Sequence, residues 1–308
     1  MFLGSGAFAV PSLAALLDAG HDVAALVTQP DREKGRGRAL AAPPTKTLAQ
    51  ARGVPVLQPP RIKEAGVVEA LRALRPEVQV VVAYGQILPR AVIDIPPLGT
   101  VNVHSSLLPR YRGAAPIHWA IVDGARETGV TTMLIDEGLD TGPLLMARSA
   151  AIGEEETTPE LEARLAALGA AVLLETLEGL ARGTLEPRPQ DHSRATVARR
   201  LEKDDARMDW TRPAEEIARR VRGLQPWPGT ATRLAGRELK VLRARPEPAP
   251  PAGTPPGTVI AADGDGIVVA AGGGTRLRLL EVQPESRRAM SAAAFAAGAR
   301  LEPGVRLT

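Results

Sequence analysis

A chain of 308 residues exceeds the size at which a single hydrophobic core usually stops growing, which predicts two domains. Its 44% hydrophobic and 24% charged residues exclude the disordered and fibrous classes, and the absence of cysteine excludes disulfides, thiolate nucleophiles and cysteine-ligated zinc. The net charge of +3 is uneven: residues 1–184 hold 17 basic and 20 acidic side chains, and residues 185–308 hold 21 and 15. The basic second half suits a polyanionic partner, and equally a general bias toward arginine.

The first half alternates short apolar runs with helical patterns, the rhythm of a parallel sheet. Met1–Leu3 ends a strand short enough to suggest residues missing before it. Pro11–Ala19 is a helix, with proline in the first turn and Gly20 just past the end. His21–Thr28 is a strand, Lys46–Arg52 a helix, Val54–Leu57 a strand and Glu64–Leu74 a helix. Strands follow at Val78–Tyr84 and Gly99–Val103, a helix at Ile117–Asp123 and a strand at Gly129–Leu134. A long amphipathic helix, Thr158–Arg182, completes the half, with Thr157 or Thr158 as cap and Glu160 and Glu162 in its first turn. Residues 185–203, with two prolines and no periodicity, have linker character. Pro213–Leu224 is helical, and residues 231–308 are short strands (239–244, 257–262, 266–271, 275–282) spaced as in a small antiparallel barrel. The expected domains are thus 1–184 and 204–308. No apolar run reaches the roughly 18 residues of a membrane span, and no signal-peptide pattern opens the chain, so a cytoplasmic protein is expected.

Polar signals concentrate in 101-VNVHSSLLPRYRGAAPIHWAI-121. Asn102 and His104, two residues apart on an extended segment, share one face and could converge on one atom. A second polar loop, 136-DEGLDTGPLL-145, offers Asp136 and Asp140, and a parallel arrangement would bring both loops to one sheet edge. Each residue also has a plain structural reading: a rim histidine, a strand-end asparagine, a turn aspartate. Ser105 and Ser106 lack a nucleophile elbow, which argues against covalent catalysis. His21, His104, His118 and His192 are too scattered for metal spacing, so no metal is expected.

Taken together, Asn102-Val-His104, Ser106-Leu107-Leu108-Pro109, Arg112-Gly113-Ala114-Ala115-Pro116 and Asp136-Glu-Gly-Leu-Asp140-Thr-Gly-Pro143 resemble the 10-formyltetrahydrofolate-dependent formyltransferases. The resemblance continues through Gly4-Ser-Gly-Ala-Phe8, Gln29-Pro-Asp31-Arg32, Gly35-Arg36-Gly37-Arg38, Asp205-Ala-Arg207-Met-Asp209-Trp210 and Gln225-Pro-Trp227-Pro-Gly229. Within the family it is closest to the members that act on methionyl initiator tRNA.

The resemblance implies a Rossmann-like catalytic domain, an OB-like β-barrel that binds tRNA, and 10-formyltetrahydrofolate as formyl donor. It gives Asn102, His104 and Asp140 the catalytic roles. Ser106, Leu107, Leu108 and Pro109, with Gln86, Ile87 and Leu88 after Tyr84, would line the folate site: backbone groups for the pterin, Ile87 and Leu88 as apolar walls, or plain core. The loop 31-DREKGRGRALAAPPTK-46, with five basic and two acidic residues, would meet the acceptor end of the tRNA through Lys34, Arg36 and Arg38. A monomer is expected.

Two other classes compete. Gly4-x-Gly6-x-x-Ala9 with Asp31 downstream imitates a dinucleotide fingerprint and would fit a nicotinamide dehydrogenase. A noncatalytic RNA-binding module would explain the basic half and leave the first half idle.

Overall fold

The computed structural model describes residues 1–34, 39–248 and 253–308. These form two compact units. One comprises residues 1–116, 127–151 and 162–198, the other 117–126, 152–161 and 199–308.

The first unit follows the predicted alternation. Its elements are β1 (Phe2–Gly4), α1 (Val10–Asp18), β2 (Leu26–Val27), β3 (Arg32–Lys34), β4 (Ala39–Ala41), α2 (Pro44–Ala51), β5 (Val56–Leu57), α3 (Ala65–Ala73), β6 (Gln79–Val82), α4 (Arg90–Ile93), β7 (Thr100–His104) and β8 (Arg112–Gly113). After α5 (Pro116–Val122), which falls in the second unit from Ile117 on, come β9 (Glu127–Leu134), β10 (Leu144–Ala151), α6 (Thr158–Ala181), in the first unit from Glu162 on, and β11 (Val197–Ala198). The main sheet has the order β10-β9-β7-β6-β1-β2-β5. From β5 to β7 every pairing is parallel, and the switch from β1–β2–β5 to β6 on the other side of β1 is the topology of a Rossmann-like sheet. Met1, Leu3, Val27, Ile62, Leu71, Val81, Tyr84 and Val92 share one core, in which each fully buried aliphatic side chain contributes roughly 2 kcal/mol.

The sheet departs from the expected parallel rhythm at β9, which runs antiparallel to β7, with Val101 opposite Leu134 and His104 opposite Thr131. β10, which was not expected, returns antiparallel to β9. The loops after β7 and β9 therefore leave opposite strand ends, not one edge as the sequence suggested. Helix α6 covers one face of these strands: an added Cβ at Gly169 would sit 3.1 Å from Val103, and Thr176 hydrogen-bonds Thr132 at 2.8 Å. Alternation then puts Asn102 and His104 on the other face. At the start of α6, Glu160 accepts from the N–H and hydroxyl of Thr157, and these two bonds hold its carboxyl below the usual range. Burial pushes Glu162 the other way.

Residues 185–198, read as linker, are folded onto the first unit. Arg188 exchanges backbone hydrogen bonds with Leu144, and β11 pairs in parallel with β8. The segment carries little local periodicity because its partners lie elsewhere in the chain.

In the second unit, α7 (Ala214–Gly223) precedes β12 (Ala231–Leu234), β13 (Arg237–Glu247), β14 (Val259–Asp263), β15 (Gly266–Ala270), β16 (Arg276–Pro284), β17 (Met290–Ser291) and α8 (Ala292–Ala299). The antiparallel sheet runs β12-β13-β16-β15-β14, and β17 pairs with β16. Residues 304–308 bridge its two edges: Thr308 and Arg233 exchange backbone bonds, while Leu307 donates to Gly257 and Val259 to Val305. The sheet closes into a small barrel around Trp210, Ile217, Val221, Val241, Ile267, Leu277 and Leu279, as expected. Helix α8 was not expected; Ser291 caps it by accepting from Ala294, ahead of an alanine-rich run.

Candidate active site

The free face of β7 carries the densest polar constellation. His104 is buried, 6% exposed, and its ring is held from two sides. Nε2 lies 2.9 Å from the carbonyl of Tyr111, and Nδ1 lies 3.7 Å from a carboxylate oxygen of Asp140. A carbonyl only accepts, so Nε2 carries the hydrogen, and a proton on Nδ1 would face the carboxylate. Asn102, half-buried and one pleat repeat back, makes no side-chain hydrogen bond among the described residues. The structure thus brings Asn102, His104 and Asp140 together on one face.

Asp140 reaches that face because the 135–143 segment folds back along the sheet. Ile135 donates to the carbonyl of Thr100 beside the start of β7. Asp136 then accepts from the N–H of Gly138 and the hydroxyl of Thr141, shaping a tight turn. Asp140 itself has φ +52, a left-handed conformation that aspartate tolerates better than most residues. Its carboxylate accepts a 2.8 Å hydrogen bond from the N–H of Gly113. Gly142 permits the return: a Cβ there would sit 1.9 Å from the carbonyl oxygen of Leu134.

The loop after β7 is equally defined. The Ser106 hydroxyl donates to the carbonyl of Arg110, so it is held as structure. Thr131, opposite His104, donates to the carbonyl of Ser106 and accepts from the N–H of Leu108. Tyr111 adopts φ +59, and its N–H donates to the hydroxyl of Thr196. Sequence reasoning passed over Tyr111, Gln190 and Thr196, whose parts in the site depend on long-range pairing that no local motif announces.

The remaining candidates divide. Ser106, Leu107, Leu108 and Pro109 form the turn just described, with Ser106 and Leu108 buried. After β6, Ala83 and Gly85 both take positive φ, and the turn leaves Ile87 94% exposed and Leu88 half-buried against the core. Plain core packing therefore does not describe Ile87. The Gln86 amide accepts from the N–H of Ile62 and donates to the carbonyl of Pro59, so it anchors this turn. Burial of Tyr84 raises its phenol to about 12, and its hydroxyl has no partner among the described residues.

Part of the basic 31–46 segment is regular. β3 and β4 pair antiparallel, and Asp31 at their base accepts from Lys46 and Gln58. These bonds hold the Asp31 carboxyl below the usual range. Lys34 is the last residue of β3, whereas Arg36 and Arg38 lie outside the described residues. No group of three or more potential metal-ligating side chains occurs among the described residues. Nor is any helix among them long and apolar enough to cross a membrane.

Comparison with known proteins places this geometry. The formyl transferase model matches residues 1–177, and the model of the formyl transferase C-terminal domain matches residues 200–300. A methionyl-tRNA formyltransferase of Anaeromyxobacter dehalogenans is 54% identical over 97% of this chain and 96% of its own length. One from Pelobacter propionicus is 51% identical over all of this chain and 95% of its own. Among solved structures, HypX from Aquifex aeolicus in complex with tetrahydrofolic acid superposes with a TM-score of 0.65 at 19% identity, over 96% of this chain and 46% of that one, a likeness of fold. The chain belongs to the formyl transferase family, in its methionyl-tRNA formyltransferase branch.

Proposed function

We propose that this chain transfers the formyl group of 10-formyltetrahydrofolate to the amino group of methionyl initiator tRNA, with Asn102, His104 and Asp140 as the catalytic set. The observation that carries the reading is the Asn102 amide, unpartnered among the described residues, on the same face as an imidazole hydrogen-bonded to a carbonyl and facing the Asp140 carboxylate at 3.7 Å. Full-length identity of about one half to methionyl-tRNA formyltransferases supports the choice of acceptor.

The folate supplies a formyl group already activated by its carrier. As the amine adds, negative charge grows on the formyl oxygen, and the Asn102 N–H is the donor free to meet it. The amine must lose a proton and the departing folate nitrogen must gain one. His104, with Nε2–H engaged by Tyr111, exchanges that proton at Nδ1, where Asp140 holds the ring in orientation and balances its positive charge. The exposed apolar side chain of Ile87 fits one wall of a flat heteroaromatic ring, with Leu88 beside it and the pinned Ser106–Pro109 turn offering backbone groups to the ring edge. Lys34, Arg36 and Arg38 of the basic 31–46 segment would meet the acceptor end of the tRNA, and the basic barrel its backbone. One chain carries the whole candidate set, and we take a cytoplasmic monomer as the working unit.

The test is formyl transfer to charged initiator tRNA beside a charged elongator methionine tRNA. The initiator species should be strongly preferred; equal use of both, or no transfer, overturns the proposal. His104→Ala should lower turnover by roughly 10²- to 10⁴-fold while tRNA binding persists. A noncatalytic RNA-binding module would lose nothing.

A further inference from the structure

Gln190 lies 50 residues beyond Asp140, in the segment that sequence reasoning took for a linker, yet its side chain is 6% exposed and fully engaged. Its Nε2 donates to the carbonyl of Asp140 at 2.8 Å and to the carbonyl of Gly142 at 2.7 Å, with the sulfur of Met133 at 3.9 Å. Its Oε1 accepts from Arg112, from Nε at 3.1 Å and from Nη2 at 2.6 Å. The chemistry admits one orientation: carbonyls only accept and guanidinium only donates, so a flipped amide would oppose like groups on both sides. Both donors and the acceptor oxygen are in use.

Arg112 is itself buried and has no carboxylate in ion-pair range among the described residues; its Nη2 also meets Nδ1 of His192 at 3.2 Å. A buried guanidinium with only neutral partners is costly, so its place here calls for a role. It precedes Gly113, whose N–H holds the Asp140 carboxylate. Backbone exchange between Arg188 and Leu144 fixes the Gln190 end, and β11 fixes Arg112 and Gly113. Gln190 therefore ties together the two loops that must meet: its amide grips the backbone of Asp140 while Arg112 grips the amide.

We propose that Gln190 is a positioning residue, oriented by Arg112, that holds the Asp140 carboxylate at the His104 imidazole; this rests on the reading of Asp140 as a catalytic group. It never touches the reacting atoms. Its loss lets the 136–143 segment relax, and a shift near 1 Å at a catalytic group costs on the order of 100-fold in rate.

The experiment is steady-state formyl transfer by the full chain carrying Gln190→Ala, Asp140→Asn, or both. Gln190→Ala should lower kcat about 10- to 100-fold and leave KM for either substrate within about twofold. In the Asp140→Asn background it should cause no further loss, because the group it positions is gone. Unchanged kcat in Gln190→Ala, or the same loss repeated on top of Asp140→Asn, overturns the proposal. If Asp140→Asn alone keeps full kcat, the catalytic reading of Asp140 fails, whatever Gln190 does. If Asp140→Asn is impaired and Gln190→Ala is not, only the positioning role fails. Should Gln190→Ala lose its cooperative thermal transition, Gln190→Glu takes its place: it keeps the acceptor for Arg112 and loses both donors to the loop. Loss of folding in both variants would make Gln190 a stability residue and overturn the proposal.

Discussion

The 136–143 loop and the β3–β4 hairpin both carry residues read as functional, but they are built in opposite ways. In the loop, Asp136 accepts from Gly138 and Thr141, Asp140 accepts from the N–H of Gly113, Gln190 donates to the carbonyls of Asp140 and Gly142, and Gly142 packs against Leu134 without room for a methyl group. The hairpin is anchored at its base, where Asp31 takes Lys46 and Gln58, and its outward strands carry exposed Arg32, Glu33 and Leu40. A carboxylate that orients a proton-exchanging imidazole needs placement to a fraction of an ångström. Contact with a phosphate chain tolerates far more latitude, because charge acts over several ångströms.

The largest effect should come from breaking the loop. Gly142→Val forces a side chain into the Leu134 carbonyl, so the loop must lift and carry Asp140 from His104. We expect kcat to fall by 100-fold or more, on the order expected for a misplaced catalytic group, with tRNA binding retained in a filter or gel-shift assay. Near-normal turnover would show that Asp140 needs no such exact support.

Weakening the basic 31–46 segment should act on one substrate only. Arg36→Ala should cost roughly 1–3 kcal/mol of tRNA recognition, about 5- to 150-fold in kcat/KM for tRNA, and leave folate binding alone. Rising salt should weaken tRNA binding steeply in the wild type and less so in the variant. Equal losses toward both substrates, or a flat salt response, would contradict the contrast drawn above.

The smallest effect sets the baseline. Tyr84 is buried with an unpartnered hydroxyl, so Tyr84→Phe removes a desolvated group and breaks no hydrogen bond. Unfolding at pH 7 should be unchanged or slightly raised in temperature. Because burial lifts the phenol to about 12, the folded state keeps a proton that the unfolded chain releases near pH 10. Wild-type stability therefore falls between about pH 10 and 12, and the phenylalanine variant should lack that part of the fall. A destabilised variant would mean that the hydroxyl has a partner after all.

Much of this architecture is readable from residue order, and the exceptions share a cause. Most strands and helices from Phe2 to His104 announce themselves through apolar runs and proline–glycine punctuation, because each is defined by its own composition; β3, β4 and α4, only three or four residues long, do not. β10 escapes notice because Leu144–Ala151 lies at the sheet edge with half its positions exposed, and it is rich in small residues. Strand direction at β9 is also invisible: the 105–126 connection is long enough for either sense. β8 and β11, two residues each, exist only through each other. Asn102, His104 and Asp140 were legible as a resemblance, and geometry adds what holds His104 and Asp140. Gln190 has no local signal whatever, since its meaning lies in Arg112, Asp140 and Gly142.

The bridging stretch 304–308 has a consequence for the barrel's safety. It covers the margins of β12 and β14 together, and both strands would otherwise present open rows of amide and carbonyl groups. A proteolytic cut ahead of Gly304 would uncover two templates in one event, converting a self-contained barrel into one prone to recruit strands from neighbouring molecules.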